Sequence, residues 1–325
     1  MANDKKGILL IEPDNNIRSF YSVPLNKTGI FTTFVAASAN EALHTIESTK
    51  SGEIQIILLN TNITDMLFQV LLQKIRNHPT TFQAVIYLFS NEISSEDKFI
   101  LKEMSVKDVF PHKMESGLLL ETLQKYIKNK IDDSLESQIY KLELNLKSED
   151  TEKCDEIMKD NSFKTFLERS PDFIHFLGEY LLLKKENEQC CDLLNNFIHK
   201  NDGNLDITET MTILNTLGKG LCLCGKFKEA TLIFKKISEK SPKNLGHKIN
   251  LSTTYIASAE WEKSAKILKS VLEIDPYNES ALIKSAQTQI GLNNPKGAIS
   301  FLEKAAGTVE YHSIASFFNN VSSRI

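Results

Sequence analysis

The chain has 325 residues, which is room for two domains, and its 41 % hydrophobic and 25 % charged residues are typical of a folded globular protein. The net charge of −4 argues against a surface built to bind nucleic acid. No apolar run approaches the ~20 residues that span a bilayer, and the first residues hold no signal-peptide core, so we expect a cytoplasmic protein without membrane contact.

Up to about residue 126, short apolar strands alternate with helical stretches. Strands are predicted at residues 7–11, 31–36, 54–59, 84–89 and 108–110, and helices at 15–28, 39–48, 67–77, 95–104 and 117–130. Near-continuous apolar strands indicate burial on both faces, and the strand–helix alternation indicates right-handed crossovers. The sequence therefore predicts an α/β doubly wound sheet of five parallel strands.

The carboxyl ends of the strands are where such a sheet collects its ligands. The residues predicted to line this pocket are Glu12, Pro13, Asp14, Asn60, Ser90 and His112. We expect Glu12, Asn60 and Ser90 to form a hydrogen-bonded polar cluster there.

Residues 5–130 resemble the receiver domain of bacterial two-component response regulators. The segment 8–18, ILLIEPDNNIR, resembles the opening strand of that family and the acids that follow it. The segment 60–66, NTNITDM, resembles the one that carries the phosphoacceptor aspartate. Ser90 and His112 stand where the family keeps a Ser or Thr and a lysine. The resemblance implies a flavodoxin-like fold that its relatives switch by phosphorylation.

Three of these positions depart from the family in ways that remove its chemistry. A phosphoacceptor is a carboxylate, whereas Asn60 is a neutral amide. Magnesium prefers carboxylate oxygens, and Pro13 offers no side-chain oxygen where the family has its second acid. His112 replaces the lysine, and strand alternation predicts that Lys113 points the other way. We therefore predict a pseudo-receiver with no cofactor, no metal and no catalytic residue.

Beyond about residue 132 the apolar residues follow a helical period, and the chain repeats itself every 34 residues. Ala230, Ser264 and Ala298 mark one repeated position, and Cys190 lies 40 residues before the first of them. The pattern resembles the tetratricopeptide repeat (TPR), with units that start near residues 171, 211, 245 and 279. Small residues at the repeated position let the two helices of a hairpin cross closely. The sequence predicts an all-α superhelix.

The flanks of the repeats match the pattern less well. Residues 135–169 are predicted to form one degenerate hairpin plus a short helix, and residues 311–321 a capping helix. The five cysteines are interpreted as small helix-packing residues, because their adjacent and i,i+2 spacings suit neither a disulfide framework nor a zinc site.

A superhelix of this kind has a concave groove lined by the first helix of each hairpin. The residues predicted to line it are Asn215, Lys219, Ile249, Asn250, Thr253, Ile256, Ile283 and Gln287. The three isoleucines suggest an apolar partner surface. Lys219 and Asn250 match only part of the clamp with which some family members bind a C-terminal carboxylate, so a chaperone-tail receptor is not supported.

These observations predict a receiver-like domain over residues 1–130 and a TPR-like domain over 131–325. The favoured function is a non-enzymatic adaptor that binds a partner protein in a bacterial two-component or motility-type pathway. A phosphorylation-switched response regulator and a sensor of a small ligand in the altered cleft are the alternatives. A homodimer through Ile100, Val109 and Tyr126 is also left open.

Overall fold

In a computed structural model of the chain, residues 5–129, 135–201 and 203–306 are described. They form two compact units, residues 1–168 and 169–325. Among the described residues, no helix has both the length and the apolar character needed to cross a bilayer.

The first unit contains a sheet of five parallel strands in the order β2-β1-β3-β4-β5. The strands are β1 (Lys6–Ile11), β2 (Phe31–Ala36), β3 (Ile54–Asn60), β4 (Val85–Phe89) and β5 (Val106–Phe110). Strand β5 begins two residues earlier than predicted, directly after Ser105, whose φ of 50° closes the preceding turn. The doubly wound fold class is confirmed.

Helices cover both faces of this sheet. They are α1 (Asn15–Lys27), α2 (Ala39–Ser48), α3 (Phe68–Asn77), α4 (Ser95–Glu103) and α5 (Ser116–Asn129). Helices α1 and α5 bury Tyr21 and Leu123 against Leu10 and Leu58 of the strands. Helices α2 and α3 pack on the other face, where Leu9 is also fully buried. Burial on both faces explains the near-continuous apolar strands.

Three further helices follow in the first unit, the last of which ends at its boundary: α6 (Leu135–Lys147), α7 (Thr151–Met158) and α8 (Asn161–Arg169). This is the hairpin and short helix that the sequence predicts. The Nζ of Lys147 on α6 lies 4.6 Å from the ring centroid of Phe82, which precedes β4. The compact units divide after residue 168, whereas the sequence places the domain boundary after residue 130.

The second unit consists of four helical hairpins within its described residues. They are α9 (Ile174–Leu183) with α10 (Asn187–Lys200), α11 (Ile207–Leu223) with α12 (Phe227–Lys240), α13 (Leu245–Ala257) with α14 (Trp261–Leu272), and α15 (Glu279–Gly291) with α16 (Pro295–Ala306). The predicted helical repeats are confirmed. The capping helix predicted at 311–321 lies outside the described residues.

Each hairpin turns through one residue with a positive φ. These residues are Lys185, Gly225, Ala259 and Asn293, with φ values of 62°, 74°, 57° and 57°. The residue after each donates its backbone N–H to the carbonyl five positions earlier, as Glu260 does to Tyr255 at 2.8 Å. This bond satisfies a carbonyl that the helix end leaves free. The α6–α7 turn repeats it with Glu149, at a φ of 55°.

Small residues allow the helices of a hairpin to approach closely. The four predicted positions, Cys190, Ala230, Ser264 and Ala298, are all buried. The opposite helix also needs a small residue: a Cβ atom on Gly218 of α11 would lie 2.7 Å from Cζ of Phe234 on α12.

Candidate functional site

The pocket of the first unit lies where the strand order reverses. Strands β1 and β3 are neighbours, and β1 is followed by Glu12 while β3 ends on Asn60. Both side chains are almost fully buried, with 1 % and 3 % of their surface exposed. The two residues therefore meet at the carboxyl edge of the sheet, the usual position of a functional site in this architecture.

The amide of Asn60 is fully hydrogen-bonded. Its Nδ2 donates to Oε2 of Glu12 at 2.7 Å and lies 3.2 Å from Nδ1 of His112. Its Oδ1 accepts the backbone N–H of Asn62 at 2.8 Å. These contacts use both amide hydrogens and the amide oxygen, and they fix which way the amide faces.

The fixed amide determines the tautomer of His112. Because Nδ2 of Asn60 is a donor, Nδ1 of the imidazole must accept, and a neutral ring then carries its proton on Nε2. The side-chain amide of Asn62 lies 3.0 Å from Nε2 and accepts this proton when its oxygen faces the ring. The half-buried imidazole is thus held between two asparagines.

The acids at this edge are already engaged. Oε1 of Glu12 accepts the N–H of Asp14 at 2.9 Å, and Asp14 caps α1 by accepting from Asn16 and Ile17. Pro13 is half-buried and contributes no side-chain oxygen. One buried carboxylate with both oxygens occupied does not fit Mg²⁺, which prefers several oxygen ligands. The described residues contain no group of three or more potential metal ligands.

Ser90 takes part in different hydrogen bonds. Its Oγ accepts from Oγ1 of Thr61 at 3.1 Å and donates to the carbonyl of Glu92 at 2.8 Å. The predicted cluster therefore contains Glu12 and Asn60, with His112 and Asn62 in place of Ser90. Lys113 is exposed.

Sequence reasoning did not identify Asn62, Asn91 or Asp65. Asn91 accepts the backbone N–H of His112 at 3.2 Å, which holds the β5 end beside the pocket. Asp65 accepts from the N–H groups of Ala39 and Asn40, both at 2.9 Å, and so caps α2. The sequence signal that could have found Asn62 is its position two residues after Asn60, the spacing at which an asparagine side chain accepts a backbone N–H and turns the chain.

Tyr21 forms part of the apolar wall behind the pocket. Its hydroxyl donates to the carbonyl of Met114 at 2.9 Å, and its ring stacks on Phe89 with centroids 4.9 Å apart. Burial and the nearby charge of Glu12 raise the pKa of Tyr21. The phenol therefore stays protonated at neutral pH and keeps its hydrogen bond.

In the second unit, all eight predicted groove residues are half-buried: Asn215, Lys219, Ile249, Asn250, Thr253, Ile256, Ile283 and Gln287. Two polar contacts join neighbouring first helices. Nδ2 of Asn250 donates to Oδ1 of Asn215 at 3.0 Å, and Nζ of Lys219 lies 3.4 Å from Oε1 of Glu179.

Ile283 belongs in part to the interior of the last hairpin. It packs against the buried pair Leu282 and Ala305, as Leu272 and Phe301 also do, so its side chain supports the hairpin. The sequence did not identify the neighbouring Lys284, which lies 34 residues after Asn250 and so occupies the same repeat position. Burial lowers the pKa of Lys284.

The surface predicted for a homodimer needs one correction. Ile100 is fully buried and cannot contact another chain, because it packs inward from α4. Val109 and Tyr126 are half-buried and pack against the two apolar clusters of the sheet.

Comparisons with solved structures find likenesses that each cover part of the chain. A CheY-like receiver domain protein from Methanospirillum hungatei JF-1 is 20 % identical, with a TM-score of 0.35, covering 38 % of this chain and 95 % of that one. CheY4 of Vibrio cholerae is 21 % identical, with a TM-score of 0.34, and the match covers 37 % of this chain and 98 % of that one. A kinesin light chain protein with TPR-like repeats from Podosopora anserina is 14 % identical, with a TM-score of 0.45. The match covers 54 % of this chain and 93 % of that one.

These likenesses concern the fold alone. No protein-family model matches the chain, and no curated protein matches it. The sheet order and the four hairpins confirm the predicted combination of a receiver-like sheet and TPR-like repeats.

Proposed function

We propose that the chain is a signalling adaptor whose receiver-like unit acts without phosphorylation and whose repeats bind a partner protein. The observation that carries this proposal is the Asn60 amide, hydrogen-bonded to Glu12 and His112 where a receiver has its nucleophile. An amide cannot attack a phosphodonor to form an acyl phosphate. The pathway that the resemblance favours is a bacterial two-component or motility-type pathway.

The arrangement also lacks the charge that phosphotransfer requires. The developing charge on a transferred phosphoryl group is normally neutralised by a metal ion and a cation. Here the Glu12 oxygens are occupied, and the residue at the lysine position is an imidazole that accepts a hydrogen bond at Nδ1. The pocket therefore supports a fixed docking domain better than a switch.

Phosphate incorporation tests this proposal directly. The full-length chain is incubated with acetyl phosphate and Mg²⁺ beside a receiver that has its aspartate, and intact masses are recorded. We expect the phosphoryl mass on the control receiver alone. Its appearance on this chain would support the response-regulator alternative, and a thermal shift with a small metabolite would support the sensor alternative.

The groove supports binding of a protein segment with a carboxylate. Lys284 is half-buried on α15 at the repeat position of Asn250, and burial lowers its pKa. Its ammonium has no hydrogen-bond acceptor and no acidic partner among the described residues. A desolvated ammonium without a partner favours a ligand that supplies an anion, and Ile249 and Ile256 add apolar surface beside it.

Selection from a random peptide library tests the groove on the full-length chain. We expect the enriched peptides to combine an acidic residue with apolar ones. Lys284→Met should weaken their binding about tenfold or more, whereas Lys266→Met on the exposed side of α14 should not change it. Equal binding to both variants would place the peptide elsewhere.

A further inference from the structure

Two junctions between successive hairpins have a similar contact. Oγ1 of Thr231 on α12 donates to Oγ1 of Thr254 on α13 at 3.1 Å. At the next junction, Ser264 on α14 and Thr288 on α15 join their hydroxyls at 2.9 Å. The second helix of one hairpin is thus connected to the first helix of the next by a pair of hydroxyl groups.

The junction between α10 and α11 has thiols where the two later junctions have hydroxyl groups. Gly220 on α11 lies 34 residues before Thr254 and so occupies the same repeat position. The space that a Gly220 side chain would fill contains the sulphurs of α10: a Cβ there would lie 3.0 Å from Sγ of Cys191 and 3.5 Å from Sγ of Cys190. The missing side chain lets the Cys191 sulphur reach the backbone of α11.

A second cysteine of α11 stands next to this sulphur. Cys224 is one helical turn after Gly220, and its N–H donates to the Gly220 carbonyl at 2.9 Å. Burial raises the pKa of Cys191, and the neighbouring Cys224 thiol raises it further, so the two side chains are near neighbours. Residues one turn apart share a helix face, so both Gly220 and Cys224 face α10. The Cys224 side chain therefore lies on the helix face against which the Cys191 sulphur packs.

Solvent reaches this pair from one side. Cys224 is half-buried and borders a surface cavity of about 330 Å³, together with Lys185 and the first turn of α10. Cys191 is buried, with 3 % of its surface exposed. Cys224 lines the cavity and Cys191 does not, so an oxidant that enters the cavity meets Cys224 first.

We propose that Cys191 and Cys224 form a reversible disulfide when a peroxide oxidises the chain. The Cys224 sulphur attacks a peroxide oxygen, the O–O bond breaks, and a sulfenic acid and water result. The Cys191 thiol loses its proton and attacks the sulfenic sulphur, which releases a second water. Two thiols thus lose two electrons and two protons, and hydrogen peroxide takes them up.

The bond would connect α10 to α11 covalently where the later junctions have hydroxyl pairs. Its loop spans residues 191–224, long enough for the cross-link to restrict the unfolded chain. On the groove side of the same junction, Lys219 contacts Glu179 of α9. Oxidation would therefore fix the end of the groove that the first two hairpins form.

The buried position of Cys191 makes its attack on the sulfenic acid the slow step of this sequence. Burial raises the pKa of Cys191 to about 12 and that of Cys190 to about 12, so few of these thiols are thiolates at neutral pH. Cys222 is likewise protected, because burial raises its pKa to about 11. These two neighbours, Cys190 and Cys222, supply the matched controls.

Thiol titration of the full-length chain tests the proposal. The reduced chain has five cysteines, and after hydrogen peroxide and its removal we expect two fewer titratable thiols in the denatured monomer. Cleavage after lysine gives one peptide with Cys190 and Cys191 and another with Cys222 and Cys224. These peptides should be joined, with the mass of two hydrogens lost, and dithiothreitol should separate them.

Variants assign the bond, because each peptide contains two cysteines. The double variant Cys190→Ser with Cys222→Ser should still form the cross-link, whereas Cys191→Ser and Cys224→Ser should each abolish it. Five remaining thiols, a cross-link that survives Cys224→Ser, or cysteine-linked dimers alone would overturn the proposal. Circular dichroism of each variant confirms that loss of the bond is not loss of the fold.

Discussion

The Nδ2 atom of Asn60 lies 2.7 Å from the Oε2 atom of Glu12, and this hydrogen bond is buried at the carboxyl edge of the sheet. The contact makes Asn60 a structural partner of Glu12, because the amide supplies the donor that the buried carboxylate needs. The residue that stands where a receiver has its nucleophile therefore contributes here to the stability of the unit.

Substitution Asn60→Asp should therefore destabilise the first unit. It replaces the donor with a second carboxyl group 2.7 Å from Glu12, so one of the two must take up a proton or the side chains must separate. We expect a loss of roughly 3 kcal/mol at neutral pH. The loss should shrink toward about pH 5, where a protonated carboxyl can donate the hydrogen bond again. Urea denaturation at both pH values measures it.

The matched control is Asn77→Asp, the same change at the exposed last residue of α3. It should alter the free energy of unfolding by less than about 0.5 kcal/mol. If Asn60→Asp is as stable as the parent chain, Asn60 does not hold Glu12 in the way described.

The sequence predicted the strands and helices of the first unit well, because their periods differ clearly. It also predicted that Asn60 and Glu12 meet, since strand ends of a parallel sheet share one edge. It could not predict that His112 contacts Asn60 or that Ser90 hydrogen-bonds with Thr61 instead. Both contacts depend on the side-chain directions of residues in three loops. Burial of Ile100 depends on the exact rotation of α4, which its weak apolar pattern leaves undefined.

Arg76 also contributes to the stability of the first unit, through contacts that the sequence did not predict. Its guanidinium donates to the carbonyls of Phe82, Ala84, Met104 and Ser105 at distances of 2.6–2.9 Å. It therefore ties α3 to the start of β4 and to the turn before β5. Burial lowers its pKa to about 10, so the group stays charged at neutral pH.

Arg76→Lys should cost about 2 kcal/mol of unfolding free energy, because an ammonium cannot reach four carbonyls in this planar arrangement. Arg169→Lys, at the exposed end of α8, is the control and should be near neutral. Chemical denaturation followed by circular dichroism provides the comparison. Equal stability of the two variants would show that one carbonyl contact is sufficient.

Ionisation of Tyr87 should lower the stability of the first unit at alkaline pH. Burial raises its pKa to about 12, with a contribution from the charge of Asp108, and its ring stacks on Phe110. The folded state therefore favours the protonated phenol relative to the unfolded chain, whose tyrosine pKa is about 10. This stabilisation is complete below about pH 10 and is lost as the pH rises through about 12.

Replacement by phenylalanine should remove this part of the pH dependence. The unfolding free energy of Tyr87→Phe should fall less steeply above about pH 10 than that of the parent chain. Tyr277→Phe, at a residue with 63 % of its surface exposed, should leave the slope unchanged. Parallel slopes for all three proteins would mean that Tyr87 ionises normally in the folded state.

The turn of the third hairpin gives the last prediction. Ala259 has a φ of 57°, a conformation that costs a residue with a Cβ atom roughly 1 kcal/mol. The second hairpin has Gly225 at the equivalent place. Ala259→Gly should therefore stabilise the second unit, by about 0.5 kcal/mol after the greater freedom of glycine in the unfolded chain is included.

Ala257 lies two residues earlier and is also exposed, but it is the last residue of α13. Ala257→Gly should destabilise by up to about 1 kcal/mol, because glycine is a poor helix former. The same chemical change is thus expected to have opposite signs at two neighbouring alanines. Thermal and urea denaturation of both variants decides this, and a loss of stability at both positions would show that the turn relaxes away from the left-handed conformation.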